Sequence, residues 1–186
     1  MYAHQTPSQT PNQTVMLIGI SGKKRSGKDT VGAMVVEWLR KHYCSATRVA
    51  FADQLKDEVA RATGVSLEDI EVEKAHWRPM LQWWGVEFRR YYHGENYWIR
   101  EMTKKLIGME EAVAVITDVR LENEAEFVRK SGGLVVRVER EVDAEDSHSS
   151  EIGLDGYPHF REVICNDGSL EDLRQKVGDF MAGLKL

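Results

Sequence analysis

Five short runs of apolar and β-branched residues recur along the chain: TVMLIGI (14–20), TRVAFA (47–52), AVAVIT (112–117), LVVRV (134–138) and REVIC (161–165). Most are too uniformly apolar for a sheet with one wet face, which favours parallel strands buried on both sides. Between them the period changes to that of a helix. Val31, Val35, Trp38, Leu39 and His42 share one helical face, as do Leu121, Ala125 and Val128. Leu170, Leu173, Val177, Phe180 and Leu184 form a third stripe, with Ser169 as its cap and Asp172 three residues on. Strand and helix in alternation predict the α/β class, a doubly wound five-stranded parallel sheet with ligands at the carboxyl ends of its strands. Two connections break the rhythm. Residues 53–111 hold more than one helix and 139–160 are polar without a clear period. Long connections of this kind usually serve function, so a helical substrate-binding insertion and a lid are expected within one domain spanning 14–186.

Composition narrows the picture modestly. The 186 residues are 42% hydrophobic, enough for a core, and the formal net charge is −5. An acidic balance argues against a partner that is a nucleic-acid polymer. No apolar run approaches the ~18 residues of a membrane span, so no membrane partner is expected. Residues 1–13 lack the basic and apolar segments of a signal peptide and read as a flexible polar tail, which suggests a cytoplasmic protein. Cys44 and Cys165 have no metal-ligand neighbours and read as reduced, mostly buried thiols.

Chemistry enters after the first run. Gly22-Lys23-Lys24-Arg25-Ser26-Gly27-Lys28 fits G-x-x-x-x-G-K between a predicted strand and a predicted helix. Glycines let successive backbone N–H groups turn into one concavity, and the helix adds its positive N-terminus. Lys28 is placed to reach the β- and γ-phosphates of a bound nucleotide. Asp29 stands where serine or threonine is usual, and Thr30 follows with a hydroxyl. Asp29 reads either as a first-turn helix acid or as a Mg²⁺ contact.

Other candidates follow the remaining runs. Asp118 ends the third, suited to hold Mg²⁺ through water, and Arg120 would face phosphate; a plain salt bridge between the two is the alternative. Lys56 is either a phosphate ligand or a solvated lysine. Residues 77–98 are dense in aromatics and arginines, and most of the aromatics are expected to form the core of the insertion. Arg89, four residues after Gly85, and Arg90 could each grip a phosphate bidentately, which a lysine cannot. Asn166, Asp167 and Gly168 read as a turn into the Ser169 cap. The lid region carries Asp143, Glu145, Asp146, His148 and Glu151 rather than arginines, so Lys23, Lys24 and Arg25 would supply the cations.

The order of these elements resembles the bacteriophage deoxynucleoside monophosphate kinases, members of the P-loop nucleotide kinase superfamily. The resemblance rests on Lys24-Arg25-Ser26-Gly27-Lys28-Asp29-Thr30, Asp118-Val119-Arg120 with Glu124, Tyr97-Trp98, His148 to Leu154, and Asn166 to Glu171. It implies a kinase with ATP as donor, Mg²⁺ as metal and a nucleoside monophosphate as partner. In that reading Lys28, Arg25, Arg120 and Asp118 are catalytic. Gly22 to Thr30, with Asn166 and Gly168 against the adenine, bind ATP. Lys56, Arg89 in preference to Arg90, Trp98 and Glu151 bind the acceptor, and Asp29, Thr30 or Asp118 positions the metal. Animal phosphomevalonate kinases share part of the pattern and are one competitor; a non-enzymatic nucleotide-binding module is the other. Oligomeric state stays open, with a homodimer among the options.

Overall fold

The first strand, β1 (Met16–Ser21), runs into the glycine-rich turn and then α1 (Lys28–His42). The structure, a computed structural model, describes residues 15–43, 45–141 and 153–184. The tail 1–13 and the lid residues Asp143, Glu145, Asp146, His148 and Glu151 therefore lie outside the described residues. Strands β2 (Ala46–Val49), β3 (Val113–Val119), β4 (Leu134–Glu139) and β5 (Glu162–Cys165) complete one sheet, ordered β2-β3-β1-β4-β5, with every pairing parallel.

The uniform apolarity of the runs has a direct cause. Successive side chains of a strand point to opposite faces, and both faces are covered. Ile18, Ile20, Val113, Val115, Val136 and Val138 pack under α1 and the last helix, α8 (Leu170–Gly183). Leu17, Ala114, Ile116 and Val135 pack on the other face against α2 (Phe51–Thr63) and α7 (Glu122–Lys130). All seven residues of β3 are buried.

The connection 53–111 is wholly helical apart from short turns. After α2 come α3 (Leu67–Val72), α4 (Lys74–Gln82), a π-helical segment (Trp83–Arg90), the short α5 (Tyr91–His93) and α6 (Tyr97–Ile107). Trp98 and Met102 carry α6 into the core.

Four expectations are corrected. The second run extends only to Val49, and Phe51 and Ala52 are helical. The Ala50 N–H donates to Asp53 Oδ2 (2.9 Å), and those of Phe51 and Ala52 donate to the Asp118 carboxylate (2.8 and 2.9 Å). Helix-start donors satisfied in this way let α2 begin early. In α8, Leu170 is exposed and Met181 takes the buried place; the Ser169 cap is present, its Oγ accepting from Asp172 N–H. Cys165 is exposed because it ends β5, an edge strand with one neighbour. Trp83, Tyr91 and Tyr92 of the insertion are exposed rather than core, since the π segment is covered on one side only.

Candidate active site

The β1–α1 turn is crowded to the point of rigidity. A Cβ on Gly22 would lie 2.5 Å from Ser26 Oγ and 2.6 Å from the Val138 carbonyl oxygen. Gly27 has φ 93°, and a Cβ there would meet Asn166 Nδ2 at 2.3 Å. Asn166 is buried and donates to the Ser26 carbonyl (2.8 Å), tying the loop after β5 to the phosphate loop. Lys28 is buried, and its Nζ donates back to the Lys23 carbonyl (3.3 Å). Arg25 is the only non-glycine among the described residues with positive φ, at 64°. Left-handed backbone costs a residue with a Cβ about 1–2 kcal/mol, so the arginine side chain is held here at the expense of stability.

A cleft of about 390 Å³ opens at the carboxyl ends of β1, β2 and β3, between this turn and the helical insertion. Its lining carries nine basic residues against three acidic ones, in a chain whose net charge is −5. Such a focus of positive charge selects an anionic ligand. Lys24, Arg25 and Lys28 contribute from the phosphate-loop side, Arg120 from the end of β3, and Lys56, Lys74, Arg78 and Arg90 from the insertion. Phe51, Leu55, Leu81 and Val86 form an apolar wall, with Gln82 among them.

Asp118 and Asp29 both line the cleft. Burial pushes the Asp118 carboxyl above its usual range, opposed by the Ala52 N–H, the Arg120 charge and the Phe51 N–H. Asp118 therefore caps α2 and faces the site at once; its placement is a helix cap rather than the simple strand-end ion pair considered from sequence. Thr30 lies exposed on the first turn of α1 and is not among the residues lining the cleft.

The two adjacent arginines part company. Arg90 is 5% exposed, lines the cleft, and pairs with Glu124, also 5% exposed. Glu124 Oε2 accepts the N–H groups of Arg120 (2.9 Å) and Leu121 (3.2 Å), so one carboxylate joins the insertion to the turn after β3. Burial raises the Glu124 carboxyl, and the Arg90 charge opposes it. Arg89 turns away to Glu58 (2.6 Å), which also accepts from Trp84 Nε1 (2.9 Å) and the Tyr97 hydroxyl. Burial raises the Glu58 carboxyl, but the hydrogen bonds from Tyr97, Trp84 and Arg89 outweigh it and hold it below the usual carboxylate range. The structure thus brings Arg90, not Arg89, to the cleft. Glu58 draws Arg89 away while Glu124 holds Arg90 at the cleft, whose face reads Arg78, Gln82, Val86, Arg90 at intervals of four. A count of four from Gly85 lands on Arg89, and one from Val86 on Arg90.

Other expected residues are placed as follows. Lys56 lines the cleft and pairs with Glu71. Trp98 forms part of the cleft floor, buried, its Nε1 donating to the Gly85 carbonyl (2.9 Å). Lys23 faces away, bonded to Asp155 (2.9 Å), which also holds Arg137 (2.8 Å). It lines a second cavity of about 310 Å³ with Ser26, Arg140, Cys165 and Asp167. Gly168 sits over the Asp172 cap. Glu151 lies outside the described residues. Sequence reasoning missed Arg48, Lys74 and Arg78; Arg78, Gln82 and Val86 at intervals of four were the available signal.

Comparison with known proteins then decides the family. A model of the deoxynucleotide monophosphate kinase family matches residues 67–177, well over half of the chain. The chain belongs to the deoxynucleotide monophosphate kinase family. The kinase is similar to the deoxynucleoside-5′-monophosphate kinase of Escherichia phage T5, 23% identical over an alignment covering 89% of this chain and 95% of that one. A protein of Acanthamoeba polyphaga mimivirus, named provisionally for the same activity, is 27% identical over 88% of this chain and 94% of its own. Shikimate kinase from Acinetobacter baumannii shares the fold at TM-score 0.52 and 18% identity, covering 94% of this chain and 97% of that chain. The kinase accordingly has the P-loop kinase fold and phosphorylates nucleotides; the phosphomevalonate-kinase and non-enzymatic readings are not favoured. No helix among the described residues is long and apolar enough to cross a membrane.

Proposed function

We propose that the kinase transfers the γ-phosphoryl group of ATP to the phosphate of a deoxynucleoside monophosphate, giving ADP and a deoxynucleoside diphosphate. The observation that carries this reading is the cleft itself, where phosphate-loop cations and insertion cations face one another across an apolar-walled space.

The donor triphosphate is held by Lys28 and the backbone N–H groups of Gly22 to Thr30. Its nucleoside lies toward the second cavity, beside Asn166 and Gly168. Asn166 acts by fixing the loop, through its bond to Ser26. The acceptor phosphate is held by Lys56 together with Lys74 and Arg78, and its base lies along Leu55, Leu81 and Val86 with Gln82 at its edge. Arg89 supports this side through Glu58 and the cation–aromatic contacts it makes with Trp84, Phe88 and Tyr97. An oxygen of the acceptor phosphate attacks the γ-phosphorus as the bond to the bridging oxygen of ADP breaks. That oxygen is already ionised at neutral pH, so no general base is required. Arg25 and Arg120 offset the charge that develops, which is where phosphoryl-transfer enzymes gain most of their rate.

The donor set suits Mg²⁺, a hard ion that binds through one or two carboxylates, substrate phosphates and water. Asp29 and Asp118 are the carboxylates on the donor side of the cleft, and Asp118 already accepts two backbone N–H groups. They would hold the ion, Asp118 through its water shell; Thr30 lies outside the cleft lining. When bound, Mg²⁺ neutralises donor phosphate charge.

An acceptor panel tests the reading. Common deoxy- and ribonucleoside monophosphates and phosphomevalonate are each offered with ATP, and ADP release is measured. Release with deoxynucleoside monophosphates is expected; release with phosphomevalonate alone, or none that depends on an acceptor, would overturn it.

A further inference from the structure

Glu71 on α3 does not line the cleft, yet it holds two lysines that do. One of its oxygens pairs with Lys56 of α2 and the other lies 3.4 Å from Lys74 of α4. The Lys56 side chain is 14% exposed, whereas Glu71 is 46% exposed. The carboxylate approaches the lysines from the solvent edge, with Ile70 next to it anchoring α3 in the interior. The pairing holds the Glu71 carboxyl below its usual range, through the hydrogen bond from Lys56 first.

The charges do not suit a permanent clasp. A phosphate monoester carries about −1.5 to −2 at neutral pH, which matches two lysines. With Glu71 in place the pair offers a net charge of one. A carboxylate and a phosphate sharing the same two ammonium groups also repel each other. The exposed Glu71 side chain is free to swing outward, while its backbone stays fixed by Ile70.

We propose that Glu71 is an exchangeable counterion for the acceptor site: it occupies Lys56 and Lys74 when the site is empty and gives them up to the substrate phosphate. The inference rests on the assignment of these lysines to the acceptor. Glu71 thereby sets the affinity for the acceptor without touching the reacting atoms. It keeps the two ammonium groups from repelling each other in the empty enzyme and weakens capture of the acceptor in return.

The experiment measures kcat and the KM for a deoxynucleoside monophosphate at saturating ATP, in low and high salt. Glu71→Gln is expected to lower the acceptor KM about twofold to fivefold, the scale of one exposed ion pair, with kcat and the KM for ATP unchanged. The gain should shrink at high salt. Glu68→Gln, an exposed acid on the same helix that does not line the cleft, should change nothing. An acceptor KM that rises or stays constant in Glu71→Gln overturns the exchange, a rise meaning that Glu71 positions Lys56. Lys56→Ala separates this failure from the other. If it raises the acceptor KM while Glu71→Gln does not lower it, only the exchange falls; if it leaves the acceptor KM unchanged, the lysine assignment falls and the exchange with it.

Discussion

The two walls of the cleft are built on opposite principles. The phosphate loop is locked: Gly22 and Gly27 have no room for a Cβ, Asn166 ties the turn from behind, and Arg25 is kept in a left-handed conformation. The helical insertion is held by side-chain charges instead. Lys56 with Glu71, Arg89 with Glu58 and Arg90 with Glu124 are its clasps, and its outer face leaves Trp83, Tyr91 and Tyr92 in solvent. A triphosphate donor benefits from a cradle formed in advance, because reorganisation during transfer costs rate. An acceptor must enter and leave, and ion pairs of modest strength allow that.

The largest test of this contrast is Lys28→Ala. It should cut kcat about 10²–10⁴-fold, as loss of a transition-state charge contact does, with the melting temperature little changed. Activity near the wild-type rate would break the assignment of the rigid wall.

Arg90→Ala compared with Arg89→Ala sharpens the other wall. Removing Arg90 leaves the deeply buried Glu124 charge without its counterion, with only the Arg120 and Leu121 N–H groups, at a cost of about 3–5 kcal/mol in stability. Arg89→Ala should cost clearly less, since Glu58 keeps Trp84 and Tyr97. Urea denaturation of both variants gives the order; equal losses would show that the two arginines do not play separate roles.

Arg25→Gly should move stability and activity in opposite directions. Relief of the left-handed strain is expected to add about 1 kcal/mol, and loss of the guanidinium should lower kcat far more than it raises the KM for ATP. A change in KM alone would make Arg25 a ground-state ligand.

The smallest effect concerns alkaline pH. Burial, with the hydrogen bond to Glu58, pushes the Tyr97 hydroxyl up to about 12 from 10. A folded value above the unfolded one means a contribution fully present below pH 10 and lost as pH rises through 12. Tyr97→Phe should therefore show a shallower fall in stability between pH 10 and 12, measured by urea denaturation at fixed pH values. Identical slopes would remove Tyr97 from the insertion's clasp.

Periodicity in the chain was enough to read the five parallel strands, the flanking helices and the Ser169 cap, because each depends on neighbours a few residues apart. The phosphate loop was legible for the same reason: its seven residues form one local turn, and glycine spacing reports backbone shape directly. What the amino-acid order alone determined is therefore the architecture and the shape of the glycine-rich turn. The tertiary structure decided the rest. Arg90 rather than Arg89 faces the cleft because Glu124 holds the one and Glu58 draws off the other. Asp118 caps α2 across 67 residues of sequence, and Asn166 braces Ser26 across 140. Lys56 meets its partner Glu71 only after α2 and α3 fold together. Such pairings are set by packing at long separation, and no local pattern of hydrophobic and polar positions encodes which charges will meet.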